Sequence, residues 1–370
     1  MKVLPFGFVC SPAILTQVIE NITSEMPDNV SKLFKNATYM DDTIIACDHQ
    51  TELIFAIKTA TEKFKAAGFE LHKIKSNSET LNLFVGEKIE ENVKILGIMW
   101  NIKDDTFSIK IPPFEESDTK RWISRTVGRL FDPLGLFDPI KLYFRIKFRN
   151  CNGDWDDAVP ESIAADLKTF YATLLKLQEV KLKRYATGNN ILRCFADAST
   201  EAAGYVVYRN DVFMFGKTKI AKSGTIPELE LYALYELIMY LEKNVTELNA
   251  SEIHVFSDSR LNLQRLSKSP NGMKINIARK ILKILDISKK LSIKFFHIEG
   301  KYNPADCYSR STDVSSFMLK QTWNLKFEIL TNLFRMNFLH AKFFLLNYLL
   351  KFISLKQTMM FVMIWVTLSL

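Results

Sequence analysis

The chain has 370 residues, of which 48% are hydrophobic and 24% charged, with 49 Lys and Arg against 41 Asp and Glu. This length suffices for two or three globular units with ordinary cores, and this polarity excludes an integral membrane protein throughout. The formal charge of +8 and the isoelectric point near 9.0 favour a polyanionic partner, because Lys and Arg that neutralise phosphates release counterions. Charge alone is a weak signal, since a basic balance is more often a solvated surface than a binding groove.

The cysteines and histidines argue against disulfides and a structural zinc site. The five cysteines are far apart and form no CxxC pair, and the five histidines show no HxxxH spacing. The first residues lack the apolar stretch and the small-residue cleavage site of a secretory signal. The sequence therefore predicts an intracellular, cytoplasmic protein that is not secreted.

The first predicted elements form a mixed unit of strands and one helix. Two short β-rich runs within residues 37–47 predict a tight hairpin, and residues 51–67 place apolar side chains on one helical stripe. Residues 94–100 and 107–111 predict a second hairpin that turns at residues 103–105. The Pro-Pro pair that follows closes the unit.

Two adjacent carboxylates, Asp41 and Asp42, stand at the tip of the first predicted hairpin. Such a pair repels itself and gains little from packing, so a divalent cation held by oxygen ligands is one reason for its presence. An exposed turn is the alternative, and for the dipeptide alone the turn is more probable. Two-metal phosphoryl transfer uses such carboxylates to hold Mg²⁺, so the pair is also a candidate polymerase metal site.

The next segment, residues 114–188, is helical in character. It contains two Asp-Pro pairs, Asp132-Pro133 and Asp138-Pro139, and each proline forces an extended residue before it, so the helices must break there. The segment therefore predicts a helical connection between two domains.

A third unit begins after the Gly-Asn-Asn at residues 188–190 and has the mixed order typical of an α/β domain. Its predicted elements are strands at 191–197, 204–208 and 212–219, a helix at 228–243, a strand at 252–257, helices at 259–267 and 274–289, a strand at 291–298, and a helix from Pro304.

Four acids fall at informative places in this unit. Asp197 and Asp258 end predicted strands, Glu230 lies in the first turns of the long helix, and Asp306 lies in the first turn of the last helix. A lone Asp at a strand end is usually a cap or a turn residue. Four acids on separate elements in this order fit a site for two Mg²⁺ ions, which activate a water and stabilise the leaving 3′ oxygen in phosphodiester hydrolysis.

The first unit resembles reverse transcriptases, and residues 4–312 resemble polyproteins of the Pao/BEL group of LTR retrotransposons. Tyr39-Met40-Asp41-Asp42 matches the reverse transcriptase signature, and Leu4 to Pro12 resembles the palm segment that lines the nucleotide site. The other matching stretches are Gly68 to Asn77, Leu96 to Trp100, Thr119 to Arg121, Phe131 to Gly135, and Trp155-Asp156. The family usually carries Trp where this chain has Ile74.

The resemblance also implies a third palm Asp on a strand upstream of Leu4, and only three residues precede Leu4. We therefore expect Asp41 and Asp42 to be a polymerase remnant, with polymerase function lost by truncation.

The third unit resembles retroelement RNase H domains. Glu230 fits the Glu-Leu-x-Ala pattern of that family, and Asn303-Pro304-Ala305-Asp306 with Ser309-Arg310 resembles its last motif. Cellular RNases H carry a mobile His shortly before the last Asp, whereas His297 is on the preceding strand and is interpreted as a core or edge residue. The resemblance implies a divalent-metal nuclease with Asp197, Glu230, Asp258 and Asp306 as catalytic metal ligands.

Two other classes of function remain to be weighed. A degenerate remnant would bind nucleic acid without cleaving it, and metal-dependent cleavage of a hybrid separates the two possibilities. An aspartic peptidase is rejected because neither Asp-Thr-Gly nor Asp-Ser-Gly occurs.

The tail beyond residue 312 is rich in Phe, Leu and Met with scattered Lys. Its apolar runs, 343–346 and 361–370, are shorter than the roughly 20 residues that a spanning helix needs. We therefore expect no membrane span, and a tail that packs poorly against the rest of the chain.

The patterns predict an α/β (α+β) chain, and the resemblance implies that it hydrolyses RNA in RNA·DNA hybrids with two Mg²⁺ or Mn²⁺ ions and no small-molecule cofactor. The hybrid is the expected partner, recognised by its shape and its 2′-hydroxyls. Candidates for phosphate contact are Lys217, Lys219, Lys222 and Arg260. The predicted domains are a partial palm at 1–112, a connection at 113–189, an RNase H-like domain at 190–312, and an unassigned hydrophobic and basic tail at 313–370.

Overall fold

The structure is a computed structural model in which the chain divides into two compact units, residues 1–107 with 351–370, and residues 108–350. The residues that the structure describes are 8–34, 37–39, 42–47, 49–86, 90–113, 117–186, 190–221, 223–320, 335–337 and 360–368.

The first unit begins with helices and continues with strands on either side of one long helix. Its elements up to residue 108 are α1 (Ser11–Ser24), α2 (Asp28–Phe34), β1 (Thr38–Tyr39), β2 (Asp42–Cys47), α3 (Gln50–Ala66), β3 (Phe69–Ser76), α4 (Glu79–Val85), β4 (Asn92–Ile95), β5 (Ile98–Asn101) and β6 (Thr106–Ser108).

The predicted first hairpin and the predicted helix are confirmed. Tyr39 pairs with Asp42 in the antiparallel ladder of β1 and β2, while Met40 and Asp41 lie outside the described residues. In α3 the predicted stripe is buried, as Leu53 and Phe64 show with no exposed surface. The core of this unit forms where α3 covers one face of β2 and β3.

The predicted single strand at residues 94–100 is wrong. The chain turns at Leu96 and Gly97, whose φ angles are 45° and 89°, and this turn separates β4 from β5. Residues in that left-handed region are found in tight turns rather than in strands, and glycine adopts it without steric cost. Residues 102–105 then turn the chain from β5 to β6, as predicted.

The second unit starts with helices and ends with a mixed domain. Its elements are α5 (Lys120–Arg129), α6 (Asp138–Arg149), α7 (Glu161–Leu174), β7 (Leu182–Lys183), β8 (Ile191–Ala198), β9 (Ala202–Arg209), β10 (Val212–Ile220), α8 (Ile226–Leu248), β11 (Glu252–Ser257), α9 (Arg260–Ser267), α10 (Ile275–Ser288), β12 (Ile293–His297), α11 (Asp306–Ser309), α12 (Val314–Lys320) and β13 (Arg335–Asn337).

The sheet of this unit has the strand order β10-β9-β8-β11-β12-β13. β9 is antiparallel to β8 and β10, whereas β8, β11 and β12 run parallel to one another. The apolar stripe of α8 packs on this sheet, and Leu234 and Ile238 have no exposed surface. The predicted order of strands and helices after residue 190 is confirmed.

The Asp-Pro segment joins the helical connection to β10. Both carboxylate oxygens of Asp132 accept hydrogen bonds from the backbone N–H groups of Leu136 and Phe137, at 2.9 and 2.8 Å. Asp138 starts α6 and accepts a 3.0 Å hydrogen bond from the N–H of Thr218 on β10. The boundary predicted at residue 190 therefore lies inside one compact unit.

The predicted poor packing of the tail is wrong for residues 314–320. They form α12, in which Val314 and Phe317 have no exposed surface, and the ring of Phe317 meets that of Phe137 edge to face at 5.9 Å. Apolar residues at i and i+3 share a helix face, so this short helix has one side to bury. No helix within the described part of the chain is long and apolar enough to cross a membrane.

A further strand of the tail, β14 (Met360–Leu368), belongs to the first unit. It lies between β2 and β3 and is antiparallel to both, so that the sheet order is β1-β2-β14-β3.

Candidate nuclease site

Two of the four predicted acids lie at one edge of the sheet. Asp197 is the penultimate residue of β8, and Asp258 directly follows the end of β11. Because β8 and β11 are parallel neighbours, their carboxyl ends meet at the same edge. Asp197 is 5% exposed, whereas Asp258 is half-buried.

Glu230 faces this edge from the start of α8. The helix begins with a capping box in which Thr225 and Glu228 satisfy each other's backbone N–H groups. Glu228 is thereby committed to the helix end, and its hydrogen bonds to Thr225 lower its pKa to about 2. Glu230, two residues further on, accepts a 2.5 Å hydrogen bond from the hydroxyl of Ser259, the residue after Asp258.

The loop that carries Asp306 is fixed to β8 by Asn303. The Asn303 amide donates to the carbonyl of Ala196 at 3.0 Å, and its oxygen accepts from the N–H of Ala305 at 3.1 Å. Ser309, at the end of α11, donates its hydroxyl hydrogen bond to Oδ2 of Asp197. Asn303, before Asp306, and Ser309, after it, therefore both hold the Asp306 loop against the strand that carries Asp197.

Burial and mutual repulsion both act on the carboxyl groups of these acids. Burial raises the pKa of Asp197 to about 6, and the charges of Asp258 and Asp306 add to the shift. Burial also raises the pKa of Glu230, with Asp197 adding to it, and that of Asp258, with Glu230 and Asp306 adding to it. Like charges that share a half-buried site disfavour each other's ionised form, and a cation between them relieves this.

The site has an acceptor that nothing in the described residues satisfies. Oδ1 of Asp258 is buried and has no hydrogen-bond partner among them. Buried polar atoms in native proteins are nearly always paired, so this oxygen requires a partner such as a metal ion or a water. With the side chains as they stand, no three His, Cys, Asp or Glu residues of the described ranges form a ready metal-ligand group. The donor set, all carboxylate oxygen, nevertheless fits a hard divalent cation.

Asp306 is engaged by two cations of the chain itself. Arg310 Nε lies 2.6 Å from Oδ1 and Lys320 Nζ lies 3.1 Å from Oδ2. Lys320 belongs to α12, so the tail contributes to this site. A metal ion at Asp306 would have to displace or share at least one of these partners.

Asn303, Ser259 and Ser309 are the site residues that the sequence did not assign. Each lies within three residues of one of the acids, but the sequence shows neither which acid it bonds nor that it bonds one. Asn303 and Ser309 appear in the sequence analysis only as members of the Asn-Pro-Ala-Asp and Ser-Arg motifs, with no role of their own.

The candidate phosphate-binding residues have partners on the protein. Lys217 lies 3.4 Å from Asp138, Lys219 lies 2.5 Å from Glu236, and Arg260 donates to the ring of His297 at 3.3 Å. Lys222 lies outside the described residues. His297 is the last residue of β12 and is partly buried, which agrees with an edge position.

Of the predicted polymerase pair, the described structure contains Asp42 only. It is the first residue of β2, is partly buried, and pairs with Tyr39 on β1 and with Trp365 on β14. Ile74, on β3, is 7% exposed and belongs to the core of this unit.

We expect the stability of the metal-free protein to fall with rising pH because of Asp197. Its folded-state pKa of about 6 is above the ordinary 3.8, so the folded state binds this proton more tightly. The stabilisation is complete below pH 3.8 and is lost as the pH rises to 6. A shift of this size corresponds to about 3 kcal/mol.

Urea unfolding in EDTA at pH 4 to 7.5 measures this dependence. Asp197→Asn should remove the largest part of it, with Glu230 and Asp258, whose pKa values burial also raises, accounting for the rest. Asp286→Asn, on the surface of α10, should leave the dependence unchanged. A wild-type slope that persists in Asp197→Asn would show that another group is responsible.

Comparison with known protein families gives one match for each of the two predicted domains. Residues 119–259 match the family model described as a Pao retrotransposon-like RNaseH-like domain. Residues 1–100 match that of reverse transcriptase (RNA-dependent DNA polymerase). The predicted resemblance to a reverse transcriptase followed by a Pao retrotransposon-like RNaseH-like domain is thereby confirmed. No curated protein matches the sequence.

Solved structures of a foamy viral protease-reverse transcriptase have a similar fold. The complex with dsDNA matches with a TM-score of 0.54 at 14% identity, over 80% of this chain and 60% of that chain. The complex with an RNA/DNA hybrid matches with the same score and identity, over 80% of this chain and 39% of that chain. The chain thus spans about half the length of these proteins. At this identity the likeness confirms the α/β fold class and nothing finer.

Proposed function

We propose that the unit containing Asp197, Glu230, Asp258 and Asp306 hydrolyses the RNA strand of RNA·DNA hybrids with divalent metal ions. The observation that carries this proposal is the buried Oδ1 of Asp258, which lacks a partner in the described part of the chain and lies among carboxyls that raise one another's pKa. This arrangement costs stability without a cation, which favours a metal-binding role.

The four carboxylates would hold Mg²⁺ or Mn²⁺. When bound, two such ions supply an activated water and charge stabilisation for the leaving 3′ oxygen. The neighbouring hydroxyls orient the ligands: Ser309 bonds Oδ2 of Asp197 and Ser259 bonds Oε2 of Glu230, which leaves the other oxygen of each carboxylate for a cation.

A nucleic-acid partner is supported by the net charge of +8 and by the folds of the neighbours, which were solved with dsDNA and with an RNA/DNA hybrid. Hybrid duplexes are recognised by their shape and by their 2′-hydroxyls rather than by base edges. On this proposal the chain cleaves hybrids of any sequence. Its narrower assignment to the Pao/BEL group and its cytoplasmic location remain predictions.

A non-catalytic, nucleic-acid-binding remnant is the second candidate. The ion pairs of Asp306 with Arg310 and Lys320 favour it, because they occupy both oxygens of a predicted metal ligand. Charged partners of this kind compete with a metal ion for the carboxylate.

Cleavage of a labelled hybrid by the purified full chain separates the two candidates. We expect cleavage of the RNA strand with Mg²⁺ or Mn²⁺, none in EDTA, and none of the same RNA as a single strand or in an RNA·RNA duplex. Binding of the hybrid without cleavage at any metal concentration would support the remnant.

We also predict that this chain alone does not extend a primer on an RNA template. Phosphoryl transfer depends on metals held by several carboxylates at once, and β14, the strand next to Asp42, contains no acidic residue. Asp42→Asn should therefore leave every activity of the chain unchanged. Incorporation above background that is lost in Asp42→Asn would show that other residues complete a polymerase site.

A further inference from the structure

One row of paired residues runs across the sheet of the second unit from Asp197. Asp197 on β8 pairs with Gly204 on β9, and Gly204 pairs with Thr218 on β10. Directly paired residues point to the same face of a sheet, and neighbouring strands lie about 4.8 Å apart. The row therefore has the Asp197 and Thr218 side chains at its two ends and no side chain in the middle.

The helix that begins with Asp306, α11, lies on the middle of this row. A Cβ at Gly204 would be 2.3 Å from the backbone carbonyl carbon of Tyr308, and a Cβ at Gly216 would be 2.3 Å from the Tyr308 ring. Glycine inside a strand marks a place where another segment approaches the backbone closely. The two glycines thus allow α11 to pack directly on the backbone of β9 and β10.

Hydrogen bonds hold α11 at both ends of the row. At one end the hydroxyl of Thr218 donates to the carbonyl of Tyr308 at 2.8 Å, and both residues are at most 2% exposed. At the other end the hydroxyl of Ser309 donates to Asp197. These two contacts therefore fix α11, and with it Asp306, relative to the strand that carries Asp197.

The Asp-Pro segment supports the Thr218 end of the row. The N–H of Thr218 donates to Asp138 at 3.0 Å, and the hydroxyl of Tyr308 donates to the carbonyl of Leu136 at 3.3 Å. Thr218 thus bonds the Asp-Pro segment through its backbone and α11 through its side chain.

We propose that Thr218 is a positioning residue for Asp306 in the nuclease site. Its hydroxyl holds α11 by the carbonyl of Tyr308, over Gly204, so that the Asp306 carboxylate is kept at the edge of the sheet where Asp197 lies. Partners behind a metal ligand orient it in this way. The role rests on the proposed nuclease function, and it adds a residue of β10, a strand that carries none of the four acids.

Three substitutions separate the hydroxyl of Thr218 from its packing. Thr218→Val keeps the branched shape and removes the donor to Tyr308, whereas Thr218→Ser keeps the donor and removes the methyl group. Thr169→Val is the matched control, because the Thr169 hydroxyl also donates to a carbonyl, that of Ala165 at 3.2 Å, on the exposed side of α7.

Amide hydrogen exchange in EDTA tests the anchor without a metal ion. The N–H groups of Tyr308 and Ser309 donate to the carbonyl of Ala305 at 2.8 and 3.1 Å, so their exchange reports the opening of α11. Thr218→Val should speed this exchange about tenfold, and Thr218→Ser and Thr169→Val should stay within about threefold of the wild type. Unchanged exchange in Thr218→Val would overturn the proposal.

Calorimetric titration with Mn²⁺ and steady-state cleavage by the full chain test the role in the site. Thr218→Val should raise the Kd for Mn²⁺ and lower kcat, each by about tenfold or more. The KM for the hybrid should stay within about twofold, since the buried Thr218 side chain is not available to a substrate. A merely structural role would instead reduce the number of Mn²⁺ sites titrated and leave Kd unchanged in the molecules that remain folded.

The outcomes for Thr218 and for the nuclease assignment are distinct. Wild-type Mn²⁺ affinity and kcat in Thr218→Val, with an active wild-type chain, would overturn the positioning role and leave the nuclease assignment intact. Equal losses in Thr218→Val and Thr218→Ser would also overturn it, because packing rather than the hydroxyl would then be responsible. A wild-type chain that neither binds Mn²⁺ nor cleaves the hybrid overturns the proposed function, and the positioning role with it.

Discussion

Asp258→Asn is expected to abolish hybrid cleavage, with a loss of at least about a hundredfold to a thousandfold in rate. The amide replaces one carboxylate oxygen of a shared metal site with a weaker, neutral ligand, and it leaves the buried position of Oδ1 without the charge that would hold a cation. Calorimetric titration with Mn²⁺ should show a parallel loss of metal binding, since cleavage depends on the same carboxylate ligand.

The loss should not come from unfolding. Burial raises the pKa of Asp258, so its ionised form costs stability, and a neutral Asn of the same shape should leave the metal-free protein as stable as the wild type or more so at pH 7. Asp286→Asn, which removes one negative charge from an exposed ion pair with Lys290, is the matched control and should cleave normally. Cleavage by Asp258→Asn at the rate of Asp286→Asn would contradict the assignment of the site.

Gly135→Ala is expected to destabilise the second unit by about 3 kcal/mol or more. Gly135 has a φ of +70°, and a Cβ there would lie 1.8 Å from the backbone carbonyl oxygen of Gly216 on β10. Backbone cannot move away as a flexible side chain can, so the contact between the Asp-Pro segment and β10 must open. The 2.9 Å hydrogen bond from the N–H of Gly216 to the carbonyl of Leu134 would be lost with it.

Gly128→Ala is the control for this substitution. Gly128 lies in α5, and a Cβ there meets nothing within 4 Å, so alanine should be neutral or stabilise the helix by up to about 1 kcal/mol. Urea unfolding of the full chain, monitored by hydrogen exchange of the amides in β9 and β10, reports on the stability of the second unit alone. Equal stability of the two variants would mean that the Asp-Pro segment does not dock on β10 in solution.

The amino-acid sequence determined the local elements and the identity of the acids. Periodicity predicts α3 and α8, the β-rich runs predict the strands of the second unit's sheet, and the sequence places Asp197 and Asp258 at strand ends. These features depend on neighbours within a few residues, because helix and strand patterns repeat every 3.6 and 2 residues. The break at Leu96 and Gly97 was missed because apolar residues flank it on both sides and hide the turn.

Tertiary structure decided the contacts between distant segments. It showed that Glu228 caps its helix while Glu230 meets Ser259, that Lys320 reaches Asp306, and that the Asp-Pro segment docks on β10. The position of β14 is the largest such case, since it lies between two strands more than 280 residues earlier in the chain. Hydrogen bonding between backbone groups does not depend on how far apart two strands are in the sequence, and it depends little on their side chains. An uncharged run of nine residues therefore predicts a strand but not the strands with which it pairs. Its place between β2 and β3 is decided only in the folded unit.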